Sequence, residues 1–66
     1  MIKGFVLSKS DVTIRLSEIA SVVKPIGIKM EIYLKSGVMI PVFYSAEDDG
    51  QKDFEELSRL LSEGLI

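Results

Sequence analysis

The chain has 66 residues, 47% of them hydrophobic, a formal net charge of −2, and neither cysteine nor histidine. A chain of this size admits one domain, residues 1–66, whose single core rarely supplies more than about 3–5 kcal/mol. The composition also removes the disulfides and Cys/His zinc sites that small domains use as reinforcement. Close packing or association with another chain remains, and a mean hydropathy of +0.30 favours association.

At the N-terminus, "MIKGFVLSKSD" carries a short apolar run broken by Ser8 and Lys9, too short for the core of a signal peptide. No stretch approaches the ~20 apolar residues of a membrane span. The expectation is a cytoplasmic protein, complete from Met1, with no membrane partner. "GFVLS" (4–8) reads as a short strand and "KSD" (9–11) as a turn. "VTIRLS" (12–17) alternates strictly, with Val12, Ile14 and Leu16 on one face and Thr13, Arg15 and Ser17 on the other, the mark of a half-buried strand. Ser17 and Glu18 then suggest a tight turn, with Ile19 returning to the core. A third strand spans about 20–24. Pro25, which has no ladder donor, and Gly27 end it in a loop or an edge bulge.

Residues 30–45, "MEIYLKSGVMIPVFYS", form a hairpin of strands at about 28–34 and 38–44, with apolar side chains on both faces. A two-residue Ser36-Gly37 turn mixes the faces. A three-residue loop, Lys35-Ser36-Gly37, with Gly37 in the left-handed position, segregates them. Leu34, Ile32 and Met30 then face Val38, Ile40 and Val42 beneath a helix. Tyr33 faces Met39, Glu31 faces Pro41 and Lys29 faces Phe43 on the outside. A one-residue slip would exchange the faces, so the clean segregation selects the longer loop.

The last segment predicts a helix at about 50–63, with Phe54, Leu57, Leu60 and Leu61 at helical spacing. Ser45, Asp48 or Asp49 can cap its start, acids crowd its first turns, and Gly64 suits its C-terminal cap. The fold class is therefore α+β: an antiparallel meander of about five strands with one C-terminal helix packed on the sheet.

Residues 12–62 resemble the C-terminal half of bacterial PH-like domains, in Leu16-Ser17-Glu18-Ile19, Val22, Gly37 and the Glu55-Glu56-Leu57 of the terminal helix. LytTR-type DNA-binding domains are similar in their glycine-turn hairpin followed by a Leu-rich helix. The PH-like resemblance implies a partial barrel, because seven strands precede the helix there and this chain has room for about five. An open side implies strand edges and apolar surface for a partner to cover. The resemblance carries no functional residue and no ligand pocket.

Without histidine or cysteine, the commonest general base and the thiol nucleophile are missing, and no serine has an activating base nearby in sequence. The expectation is a non-enzymatic protein with no catalytic residue, cofactor or metal. Glu47-Asp48-Asp49 lacks the spacing of a calcium loop and reads as helix-start electrostatics. The expected function is protein–protein interaction by self-association, as a homodimer or other homo-oligomer, through the outer face of the 28–44 hairpin or an open strand edge. An unidentified protein is the other partner weighed. Tyr33, Met39, Pro41 and Phe43 are the interface candidates, with Phe5, Val6, Leu65 and Ile66 as additions. The alternative is nucleic-acid binding through Arg15, Lys24, Lys29 and Lys35, together with Lys9 and the aromatics. Residues 1–44 hold six bases and three acids, against two bases and seven acids in 45–66. An overall pI of about 4.9 disfavours nucleic acid as a partner.

Overall fold

A computed structural model describes residues 2–4, 6–9 and 11–66. Among them, six antiparallel strands form two open three-stranded sheets, followed by one helix, with no closed barrel. The first sheet contains β1 (Ile2–Lys3), β2 (Val6–Lys9) and β3 (Val12–Arg15); the second contains β4 (Ile19–Ile26), β5 (Lys29–Leu34) and β6 (Met39–Phe43). Five of the strands have four residues or more, and β1 is a two-residue addition. The helix α1 spans Glu47–Ser62.

The meander divides at Leu16–Glu18, where the chain makes one 3-10 turn, so β3, the strand expected over 12–17, ends at Arg15. Leu16 and Ile19, on either side of the turn, are both buried. The turn is tied down by hydrogen bonds: Ile19 N–H donates to Leu16 O, and Lys35 N–H donates to Glu18 O at 2.8 Å. β4 is longer than its sequence pattern suggests. Its register against β5 shifts between Ile19 and Ser21 and again between Val23 and Ile26. Each shift places an extra residue on β4, which twists and bends an edge strand. Pro25 falls within the second shift, where its missing N–H costs no regular ladder bond.

The hairpin has the register expected of the three-residue loop. Leu34 N–H donates to Val38 O at 2.9 Å, Gly37 N–H donates to Leu34 O at 2.9 Å, and Gly37 has φ +94°. Ile32 pairs with Ile40, Met30 with Val42, Tyr33 with Met39, Glu31 with Pro41 and Lys29 with Phe43. The inner side buries Met30, Ile32 and Val42 completely, while Leu34 and Ile40 are half-buried. Val38 departs from the expectation that it lies under the helix. It is 55% exposed and sits before β6 begins, at the turn end of the hairpin.

The core joins both layers. Leu7 and Ile14 come from the first sheet, Met30, Ile32 and Val42 from the second, and Leu57 from α1, with Leu16, Ile19 and Tyr44 from the connections. α1 lies mainly over β4 and β5, with Phe54, Leu60 and Leu61 packed against the core around Leu57. Its C-terminus closes with Gly64 N–H to Leu61 O at 3.2 Å and Leu65 N–H to Leu60 O at 2.9 Å, the paired bonds of a Schellman cap.

The helix starts three residues earlier than its sequence pattern suggests, at Glu47, and none of Ser45, Asp48 and Asp49 caps it. Ala46 is the N-cap residue, in extended conformation, and makes no side-chain bond. Asp48 and Asp49 are already in the first turn beside Glu47, where their charge complements the helix dipole instead. The early start carries Gly50 into the helix, against its low propensity. Gly50 is buried against the ring of Tyr44, and a Cβ at this position would lie 3.1 Å from Tyr44 Cδ2. Helix propensity alone favours Gly50→Ala by about 0.8–1 kcal/mol, whereas overpacking costs typically 1–3 kcal/mol. The Tyr44 ring is buried and bonded at its far end (below), so the steric cost outweighs the gain. Gly50→Ala is expected to lower stability by about 1 kcal/mol in urea unfolding, and a stabilised variant would show that the ring yields freely.

Candidate functional site

The second sheet has a helix on one side and no covering element among the described residues on the other. Its outer side chains fall into three rows across the strands. Ser21, Tyr33 and Met39 form the first, Val23, Glu31 and Pro41 the second, and Ile26, Lys29 and Phe43 the third. Tyr33 and Met39 are 37% and 38% exposed, and Phe43 is 52% exposed. Pro41 is half-buried between them. The four interface candidates thus share one continuous surface, which β4 extends with Val23 and Ile26; Ile26 is 84% exposed. Lys29 and Glu31 lie on the same surface, 3.5 Å apart from Nζ to Oε2, an exposed pair that adds little to stability on its own.

The hydrogen-bond phase of the ladder explains why these side chains are close-set. The Leu34–Val38 bond and the Tyr44 N–H to Ile28 O bond at 2.8 Å mark the even-numbered residues of β5 as the hydrogen-bonded pairs with β6. The pairs Tyr33–Met39, Glu31–Pro41 and Lys29–Phe43 are therefore the non-hydrogen-bonded ones, in which Cα atoms are nearer, at about 4.5 Å. In such pairs the backbone polar groups point away from the partner strand. Pro41 therefore sets its nitrogen on the free edge of β6, in mid-strand, where an added strand would need an N–H. The opposite edge strand, β4, is bent by its two bulges. Both edges of the second sheet are poor templates for strand addition, and the outer face is the open surface.

Of the additional candidates, Val6 is half-buried in β2, Leu65 is exposed just beyond the helix cap, and Ile66 packs partly against the core. None of them is on the rows above, and Phe5 lies outside the described residues. The bases proposed for nucleic acid are dispersed. Arg15 is on β3 of the other sheet, and Lys35 is in the hairpin turn. Lys29, at the far end of β5, is about 20 Å from the turn at ordinary strand rise. Lys24 and Lys29 do meet, around a groove of about 190 Å³ that also includes Val23, Ile26 and Glu31.

A second concavity, of about 480 Å³, lies where the start of α1 faces β1 and β2; Ile2, Lys9, Tyr44, Asp49, Lys52, Asp53 and Glu56 line it. Tyr44 O–H donates to Asp53 Oδ2 at 2.8 Å, and Lys9 Nζ stands 5.5 Å from the Tyr44 ring centroid. The sequence pattern gives no notice of this cluster, because Tyr44 and Asp53 belong to different elements and Lys9 to the other sheet. The only signal is the strand parity that turns Tyr44 inward when Phe43 points out. Burial, then the bond to Asp53, then the nearby Asp53 and Asp49 charges, hold the Tyr44 hydroxyl well above the usual phenol range. Among the described residues, no three of His, Cys, Asp and Glu are gathered to hold a metal ion, and no helix is long and apolar enough to cross a membrane. Comparison with protein-family models, curated proteins and solved structures finds no match to this chain.

The Tyr44–Asp53 bond has a measurable pH signature. The folded phenol keeps its proton above the pH at which the unfolded one, near pH 10, loses it. Its contribution is complete below that pH and falls as pH rises through the alkaline range. Tyr44→Phe is expected to cost about 1 kcal/mol near pH 7, and the gap to the parent should shrink near pH 11. A gap of equal size at both pH values would contradict the assignment.

Proposed function

We propose that the chain is a non-enzymatic interaction module that self-associates, as a homodimer, through the outer face of β4–β6. The observation that carries this reading is the exposed apolar surface of Tyr33, Met39, Pro41 and Phe43, flanked across Glu31 and Lys29 by Val23 and Ile26, which no described part of the chain covers. Aromatic and methionine side chains are those that interface centres favour. A sheet buries apolar side chains by placing another layer over them, and here one of the two layers is missing. A second copy supplies it: two such sheets stack at about 10 Å, with the helices outermost.

Three features favour a second copy over other occupants. The small core benefits from area that association would bury. Lys29 and Glu31 stand in adjacent rows near the middle of the face, so a second copy can set base against acid, with Lys24 at the margin of the same groove. Pro41 and the bulged β4 disfavour the edge-to-edge pairing that would otherwise compete. Nucleic acid is less well supported, since Arg15 and Lys35 lie away from the Lys24–Lys29 groove.

Association makes folding stability depend on protein concentration. The thermal midpoint of the parent is expected to rise as its concentration is raised from micromolar to millimolar. Phe43→Asp places a charge on the exposed face, leaves the core untouched and should fold to the same circular dichroism spectrum. Its midpoint should not move with concentration. If the parent midpoint is equally indifferent to concentration, the self-association reading fails.

A further inference from the structure

We infer that two copies pair face to face about a two-fold axis that crosses the strands of the second sheet between the Lys29–Phe43 row and the Glu31–Pro41 row. Lys29 of each copy then meets the partner's Glu31, and Phe43 lies on the partner's Pro41. This deepens the self-association reading and rests on it.

An isologous contact between two faces has its axis in the plane between them, and the charges on this face decide where that axis runs. Lys29 and Glu31 both lie on the central strand β5, two residues apart and on the same side. Moved off β5, an axis parallel to the strands sets Lys29 and Glu31 on apolar side chains of the partner's β4 or β6, where neither charge meets its opposite; placed over β5, it lays that strand on its own copy, row upon the same row. Each Lys29 would then oppose Lys29, and each Glu31 would oppose Glu31, at the centre of the contact, where like charges cost most. An axis across the strands at the Glu31 row also brings Glu31 onto Glu31. Displaced by half a two-residue repeat, about 3.3 Å, the same axis exchanges the two rows, and every Lys29 faces a Glu31.

The neighbouring side chains suit this exchange. On β6, the half-exposed ring of Phe43 is set over the partner's Pro41, an apolar contact formed twice. On β4, Val23 faces the partner's Ile26. Ile26, the most exposed large hydrophobic side chain of the described residues, is thereby covered. The groove formed by Val23, Lys24, Ile26, Lys29 and Glu31 lies on both sides of the axis, and the exposed Lys24, on the edge strand β4, extends its ammonium past the sheet margin into solvent. Stacked sheets cross at an angle of about 30°, which displaces contacts at the sheet margins most. The Lys29–Glu31 exchange is next to the axis and is the least affected.

Charge reversal tests this arrangement directly. Lys29→Glu and Glu31→Lys, each alone, put like charges at both symmetric contacts and should weaken self-association by at least about tenfold. Mixing the two single variants should then restore it. In the mixed pair, one contact joins the two substituted side chains, opposite in charge, and the other is the native Lys29 with Glu31. With one variant isotopically labelled, native mass spectrometry should show the mixed dimer in excess over both homodimers. The Lys29→Glu, Glu31→Lys double variant should recover the parental association. If the parent dimerises but the mixture shows no excess of mixed dimer, this axis is wrong while self-association stands. If the parent remains a monomer at every concentration, both fail.

Discussion

The strand register of the β5–β6 hairpin governs which side chains are inside and which are outside. A slip of one residue would send Met30, Ile32 and Val42 to the surface and Lys29, Glu31 and Tyr33 into the core. Gly37, with φ +94°, is the residue that holds the register, because a side chain at this backbone conformation is strained. The loop bonds between Leu34, Gly37 and Val38 fix the count at three residues. From that count follow the aliphatic floor under α1, the outer rows centred on β5, and the phase that sets Pro41 against the free edge of β6.

The inner side of the sheet is closed by a few large contacts. Leu57 enters the centre of the core from α1, joined there by residues of both sheets and by the two residues, Leu16 and Ile19, that flank the 3-10 turn. The start of the helix is held differently. The ring of Tyr44 fills the space that Gly50 leaves open, and its hydroxyl reaches one helical turn further to Asp53. A residue that weakens the helix locally is thus what allows the helix to approach the end of β6 closely. Local propensity and tertiary packing conflict at this point, and packing prevails.

Much of this is legible from pattern alone. The hairpin register follows from the segregation of aliphatic from aromatic side chains, and the turn at Leu16–Glu18 from the end of strict alternation. The buried face of α1 follows from the spacing of Phe54, Leu57, Leu60 and Leu61. What pattern misses has physical causes. The division into two sheets falls at the 3-10 turn, and the bulges in β4 shift its register against β5; neither leaves a composition signal beyond Pro25. The helix start is misplaced from sequence because Gly50 reads as a breaker until its neighbour Tyr44 is known. Strand parity assigns Val38 to the interior, although parity says nothing of how far the covering helix extends. For the outer face, alternation places Tyr33, Met39, Pro41 and Phe43 together, but it cannot add Val23 and Ile26, whose register depends on the same bulges.

A sheet with one covered and one uncovered apolar side is the physical basis for reading this chain as half of a larger assembly. The uncovered side is formed by paired strands rather than loops, and it carries Lys29 and Glu31 two residues apart on its central strand. Sedimentation equilibrium of the unmodified chain over a wide concentration range measures the consequence most directly. The account predicts a mass that rises from 7.3 kDa towards twice that value as concentration increases. A mass that stays at 7.3 kDa up to millimolar concentration would contradict it.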